Sequence, residues 1–438
     1  MGDTRPSKNG PRQILIHKAD HTFTLQEDAL EDILLREDVR SKPVAVISVA
    51  GAMRTGKSFL LNFFLRYIKS SRKSANWLGN PDAPLKGFSW RGGKTVDTSG
   101  IVIWNEVFTV TTTEGKELAV LFMDTEGAFG CGASMTECTT VFGLSTLISS
   151  VQVYNISKRL QENDLHYLQL FTEYGRLAME STSDKPFQNL TFLVRDWNCP
   201  SDNPYGSEGG KTILDEWLNV SQEQLEEARQ TREHIRSCFS DVDCFLMPHP
   251  GKKVDTGVGF DGRISDIEAD FTDQLKDLVH HLLAPDNLLV KKVNGTEVTC
   301  EALLNYFKTY VKSFVNGVLP EPKSILQATA EAYYSQAVAN EIQLYKKAMD
   351  QLCEGEESFM SAEELSKNHK RLKRSALKRL LTIPKMGGKD YFQRYVDQLE
   401  LEIHTECEMY ARCNDSKRAA ADAKRAAADA KRAAADAK

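Results

Sequence analysis

The chain has 438 residues, too many for one compact core, so two or three packed units are expected. Its formal net charge of −6 argues against a nucleic-acid partner, because holding a phosphate backbone needs an accumulated basic face. Without a run of eighteen apolar residues or a signal-like N-terminus the chain is expected to be soluble as given, and nine cysteines with no C-x-x-C pair read as reduced cytosolic thiols rather than as disulfides or a zinc site.

In chain order, the first strong signal is the apolar, β-branched run Val44-Ala45-Val46-Ile47-Ser48-Val49, a buried strand. Gly51-Ala52-Met53-Arg54-Thr55-Gly56-Lys57-Ser58 follows and fits the phosphate-cradling pattern G-x-x-x-x-G-K-[ST]; the stretch from Phe59 to Leu65 then opens a helix. Strand, loop and helix in this order predict a nucleoside triphosphate site formed by Gly51, Met53, Arg54, Thr55, Gly56, Lys57, Ser58 and Phe59. Lys57 is expected on the β- and γ-phosphates, and the Ser58 hydroxyl on a magnesium ion, which prefers oxygen ligands. The glycine-rich stretch 91–100 supplies a further hydroxyl for the metal, Thr98 before Ser99.

Further buried-strand candidates lie at 119–123, 190–194 and 244–247, separated by helix-compatible stretches, which predicts an α/β fold with a mostly parallel sheet and a ligand at the strands' carboxyl ends. After the strand at 119–123 comes Asp124-Thr125-Glu126-Gly127, matching D-x-x-G about seventy residues beyond the phosphate loop: Asp124 holds magnesium through water and the Gly127 N–H senses the γ-phosphate. After the strand at 190–194 comes Arg195-Asp196. A carboxylate there can accept both N1–H and N2–H of guanine, although N-K-x-D is absent; this favours GTP over ATP and leaves a surface ion pair as the alternative. The sequons, Asn155-Ile156-Ser157 and Asn294-Gly295-Thr296 among them, are uninformative without a secretory signal.

Two prolines, Pro320 and Pro322, mark a domain boundary. Beyond it Tyr334, Val338, Ile342, Tyr345, Met349 and Leu352 form a helical stripe, Ser361 with Glu364 makes a capping box, Pro384 and Gly387-Gly388 end the second helix, and a third from about Asp390 carries Tyr395, Leu399, Ile403 and Cys407 on one face. The expected organisation is a GTPase domain at 1–312, a linker at 313–323, a three-helix bundle at 324–415 and, at 416–438, an alanine-rich repeat that reads as a solvated helical spacer or engineered extension.

Gly51 to Ser58, Phe88-Ser89-Trp90-Arg91-Gly92-Gly93, Asp124-Thr125-Glu126-Gly127, Phe192-Leu193-Val194-Arg195-Asp196-Trp197 and Leu246-Met247-Pro248-His249-Pro250-Gly251 together resemble the atlastins. The resemblance extends through 319–330 and Lys385-Met386-Gly387-Gly388 and so covers about residues 12 to 416. It implies a dynamin-related GTPase that uses magnesium and fuses endoplasmic reticulum tubules from their cytosolic face, dimerising with GTP, including with a copy on the opposing membrane. It implies that Arg195 and Asp196 replace the ordinary guanine motif, that Val254 lies by the base, and that Arg54 is an arginine finger in cis. A phosphate-loop position does reach the β–γ bridging region, where such a charge is worth about 10³–10⁵ in rate. The implied catalytic set is thus Arg54, Lys57, Ser58 and Thr98; the metal set is Ser58, Thr98 and Asp124. Glu126 departs from the family's usual Gln and is left out. The family's membrane hairpin is expected to lie in a segment missing from this chain. The competing reading is a guanylate-binding-type assembly GTPase without fusion activity. A kinase or ATPase is disfavoured for want of an adenine pocket and an acceptor site.

Overall fold

The structure is a computed structural model describing residues 9–436 apart from 19–21, 53–54, 71–75, 91–99, 126–134, most of 162–183, 222–223, 225, 258, 315–319 and 354–358. Packing divides the chain into two units, Met1–Thr329 and Ala330–Lys438.

Nine strands make the main sheet of the first unit: β1 (Pro11–His17), β2 (Phe23–Leu25), β3 (Val44–Gly51), β4 (Ile101–Trp104), β5 (Phe108–Thr111), β6 (Glu117–Thr125), β7 (Val151–Ser157), β8 (Phe187–Arg195) and β9 (Phe239–Leu246). Their order is β2-β1-β4-β6-β3-β7-β8-β9, with β5 also paired to β6. The five strands from β6 to β9 in that order run parallel, whereas β1, β2, β4 and β5 join antiparallel. Parallel strands covered on both faces need continuous apolar sequence, and all eight residues of β3 are buried.

The first unit's helices with described bounds include α1 (Glu27–Leu34), α2 (Lys57–Lys69), α3 (Met135–Ile148), α4 (Ser207–Trp217), α5 (Glu226–Cys238), α6 (Lys252–Thr256), α7 (Ala269–Leu283) and α8 (Cys300–Phe314). One core forms where α2 and α7 cover a face of the sheet, with Leu61, Phe63 and Phe64 of α2 and Leu275, Leu278 and Val279 of α7 against Ile47 and Val49. The helices α3 and α8 pack together, α3 against β3 and α1 against α8. Because β3 lies between β6 on one side and β7 on the other, successive connections leave it in opposite directions and open a crevice at its carboxyl end. The phosphate loop sits there.

The helix α9 (Pro322–Leu352) contributes its residues from Ala330 onward to the second unit, together with α10 (Ala362–Thr382) and α11 (Lys389–Asp436). The expected stripe is buried at Tyr334, Val338, Ile342, Tyr345 and Met349, and across from it Leu399 and Ile403 of α11 are fully buried. The capping box is present: Glu364 N donates to Ser361 Oγ at 3.2 Å and Ser361 N to Glu364 Oε2 at 3.1 Å. Polar ties fix the register, with Tyr334 donating to Met386 O at 2.9 Å and Arg379 of α10 paired to Glu341 of α9 at 2.6 Å. The alanine repeat continues α11 as a largely exposed helix. Among the described residues no helix is long and apolar enough to cross a membrane.

Candidate active site

The phosphate half of the site begins where β3 ends. Gly51 has φ +149°, and a Cβ there would lie 2.1 Å from the carbonyl oxygen of Asn155 on β7, so only glycine lets the two strands close. Gly56 is left-handed at φ +77° and caps α2, whose N-terminus faces the crevice. Between them the loop folds on itself: Thr55 Oγ1 donates to Ala52 O at 2.7 Å and Lys57 Nζ donates to the same oxygen at 3.0 Å. Lys57 is 7% exposed, so its ammonium is already positioned over the loop and can exchange a carbonyl for a phosphate oxygen. The Ser58 hydroxyl donates to Asp124 Oδ2 at 2.5 Å, and Asp124, near the end of β6, is buried. With its hydrogen directed at Asp124, Ser58 Oγ keeps lone pairs for a cation, and a hydroxyl beside a carboxylate is a hard-oxygen set that fits magnesium.

The residues expected to read the base lie beyond the ends of β8 and β9, beside the end of β7. Arg195 closes β8, with Nη1 3.5 Å from the position a Gly56 Cβ would take. Burial pulls its pKa below the usual arginine value, offset by the carboxylates of Asp196 and Asp255. Asp196 adopts φ +59°, a turn that Asp tolerates better than most residues, and its Oδ2 accepts from Arg195 Nη2 at 3.4 Å and Ser157 Oγ at 3.3 Å. Beyond β9, α6 carries Val254, which packs against the main core. Its loop is pinned by His249, whose Nδ1 accepts from Gly251 N at 3.0 Å, leaving Nε2 to donate to Asp255 Oδ2 at 2.8 Å.

The family description for the guanylate-binding protein N-terminal domain matches residues 20–293, and that for the guanylate-binding protein C-terminal domain matches 294–425. Among curated relatives, human Atlastin-2 is 50% identical over 404 residues, covering 92% of this chain and 69% of that protein. Rat Atlastin-1 is 50% identical over 410 residues, 94% of this chain and 73% of its own length, and mouse Atlastin-3 is 49% identical over 413 residues, 94% and 76%. The chain belongs to the atlastin family. It is therefore a dynamin-superfamily GTPase, an enzyme that hydrolyses GTP.

Of the residues expected at this atlastin-family site, Gly51, Asp124 and Arg195 lie at strand ends, Thr55, Gly56 and Asp196 in the loops that follow, Lys57, Ser58 and Phe59 in the first turn of α2 and Val254 in α6. Met53, Arg54, Thr98 with its alternative Ser99, Glu126 and Gly127 lie outside the described residues.

Three contributions escape the motifs. Asn62 on α2 is fully buried and exchanges two hydrogen bonds with the backbone of Phe88, accepting from its N at 2.6 Å and donating to its O at 3.0 Å, which anchors the chain leading to 91–99. Phe59 stacks edge-on with Trp90 at 5.1 Å, and Phe260 lies 5.5 Å from Trp90, so one aromatic cluster joins α2, the root of that segment and the loop after α6. Asn155 and Ser157, read from sequence only as a sequon, end β7 inside the site; Asn155 is 1% exposed and inaccessible to glycosylation in the folded chain. Its apolar context, 151–156, was the available signal.

Proposed function

We propose that this GTPase uses magnesium and couples its GTP cycle to homodimerisation and to movement of the helical unit, thereby tethering and fusing endoplasmic reticulum tubules from their cytosolic face. The observation that carries the nucleotide assignment is the junction at Gly56: Arg195 Nη1 lies 3.5 Å from the position of a Gly56 Cβ, and this nearness to the phosphate loop supports Arg195-Asp196 as part of the nucleotide crevice. Lys57 meets the β- and γ-phosphates, Ser58 and Asp124 hold the metal, Asp196 accepts from guanine, and Val254 lies beside the base. Magnesium, when bound, supplies positive charge to the phosphate oxygens. Thr98 completes the metal set, Gly127 senses the γ-phosphate, and Arg54 stabilises charge on the bridging oxygen as it develops.

Support for the coupling comes from the atlastin match, which runs through both units at about half identity. A γ-phosphate that orders loops at the mouth of the site creates a surface absent with GDP, the physical basis for a nucleotide-dependent dimer. The two guanylate-binding family matches support a second reading, an assembly GTPase without fusion activity.

Light scattering with GDP, a non-hydrolysable GTP analogue and a transition-state mimic tests the first step, with dimers expected in the last two states. Lipid mixing between liposomes that both carry the tethered chain separates the readings: fusion requires mixing with GTP and none with GDP, whereas the assembly reading gives dimers without mixing. A monomer in every nucleotide state refutes both.

A further inference from the structure

We propose that Asn155 is a positioning residue of the phosphate loop, acting through Thr55 without touching the nucleotide. The inference rests on the reading of that loop as the GTP phosphate site. The residue grips the loop at two points. In the β3–β7 register Asn155 lies opposite Gly51, and its carbonyl oxygen occupies the space a side chain at Gly51 would need. Its side chain reaches past the loop's start: Nδ2 donates to Thr55 O at 2.9 Å and lies 3.4 Å from Thr55 Oγ1.

The orientation of the carboxamide is dictated by its partner, since a backbone carbonyl only accepts and so must face the NH₂ group. That leaves Asn155 Oδ1 buried with no hydrogen-bond partner among the described residues. An unsatisfied oxygen in a residue 1% exposed is a cost that an aliphatic side chain on a buried strand would avoid. The gain lies in the peptide plane. Thr55 C=O and Gly56 N–H belong to one trans peptide and point in opposite directions, so holding the oxygen toward β7 aims the Gly56 N–H away from β7, into the loop. Gly56, left-handed and lacking a Cβ, cannot fix that plane by its own sterics. Asn155 thus orients an N–H donor of the anion cradle before nucleotide arrives.

The cradle serves the phosphates common to GDP and GTP, which defines the test. Asn155→Ala should weaken GDP and a non-hydrolysable GTP analogue alike by about tenfold, the worth of one oriented hydrogen bond, raise KM in proportion and leave kcat at saturating GTP nearly unchanged. Asn155→Asp keeps the shape but sets a carboxylate against Thr55 O; it should bind GDP more weakly than Asn155→Ala at about pH 8 and recover as acidification protonates the carboxyl into a donor. That pH response is specific to the hydrogen bond and carries the test if Asn155→Ala does not fold. Unchanged GDP affinity, a fall in kcat with KM unmoved, or the same pH response in both variants overturns the proposal. Wild-type protein that fails to bind GDP overturns instead the assignment of the loop.

Discussion

Asp196→Asn is the sharpest test of how this GTPase reads its base. The side chain is 19% exposed and oriented by Ser157 Oγ at 3.3 Å and Arg195 Nη2 at 3.4 Å, and both Asp and Asn tolerate the left-handed backbone at this position, so the exchange leaves the local fold in place. A carboxylate accepts N1–H and N2–H of guanine together. An amide keeps one acceptor and turns a donor toward a donor. Losing one charge-assisted hydrogen bond and stranding the opposing group costs about 3–4 kcal/mol, or roughly 10²–10³ in kcat/KM for GTP. Xanthine carries a carbonyl where guanine carries its amino group, so xanthosine triphosphate should become the better substrate of the variant. Half-buried Arg195 keeps Asp255 as a nearby carboxylate, which limits collateral damage. Steady-state kcat/KM for GTP, xanthosine triphosphate and ATP decides the matter. Wild-type turnover of ATP as fast as GTP, or a variant that loses GTP without gaining xanthosine triphosphate, refutes the assignment.

Arg54→Ala should retain GTP affinity and lose turnover by about 10³-fold or more, whereas Lys57→Ala, which removes the ammonium held over the loop, should lose affinity first; equilibrium binding beside single-turnover rates separates them. Ser157→Ala releases one of two hydrogen bonds that orient Asp196 and should narrow the preference for GTP over inosine triphosphate about threefold to tenfold, with Ser157→Thr restoring it. Lys291 is fully buried, donates to Ser149 O at 3.0 Å, and burial lowers its pKa to about 7. Between that value and the ordinary lysine pKa the unfolded chain binds the extra proton, so stability rises with pH through this window by up to roughly 1.4 kcal/mol per unit. Urea denaturation at several pH values should show this slope in wild type and its loss in Lys291→Met.

The parts of the site that were legible in sequence are those whose function is set by local backbone. The phosphate loop needs glycine at fixed offsets between a buried strand and a helix, and Asp124 and Arg195 each follow an apolar run that reads as a parallel strand. The helical unit was legible for the same reason, since the 3.6-residue stripe of α9 and the capping box of α10 are local patterns. The strands β1, β2, β4 and β5 were not anticipated. They are three to seven residues long and pair antiparallel; the burial of β1 and β5 alternates or breaks, and the apolar run of β4, Ile101 to Trp104, is only four residues long and too short to be told from a loop or a helix turn.

Asn155 and Ser157 were missed for a different reason. A sequon is a statement about three adjacent residues, whereas the work of these two depends on register with strands about a hundred and about forty positions away, Gly51 on β3 and Arg195 on β8. One strand end therefore braces both halves of the nucleotide crevice: Asn155 holds the loop at Thr55, and two residues later on the same side of the pleat Ser157 holds the Asp196 carboxylate. Since β7 ties the two halves together, a shift of its end relative to β3 should disturb phosphate and base recognition at once. Asn155→Ala combined with Ser157→Ala should then weaken GDP by more than the product of the single effects. A strictly multiplicative loss would mean that β7 supports the two halves independently.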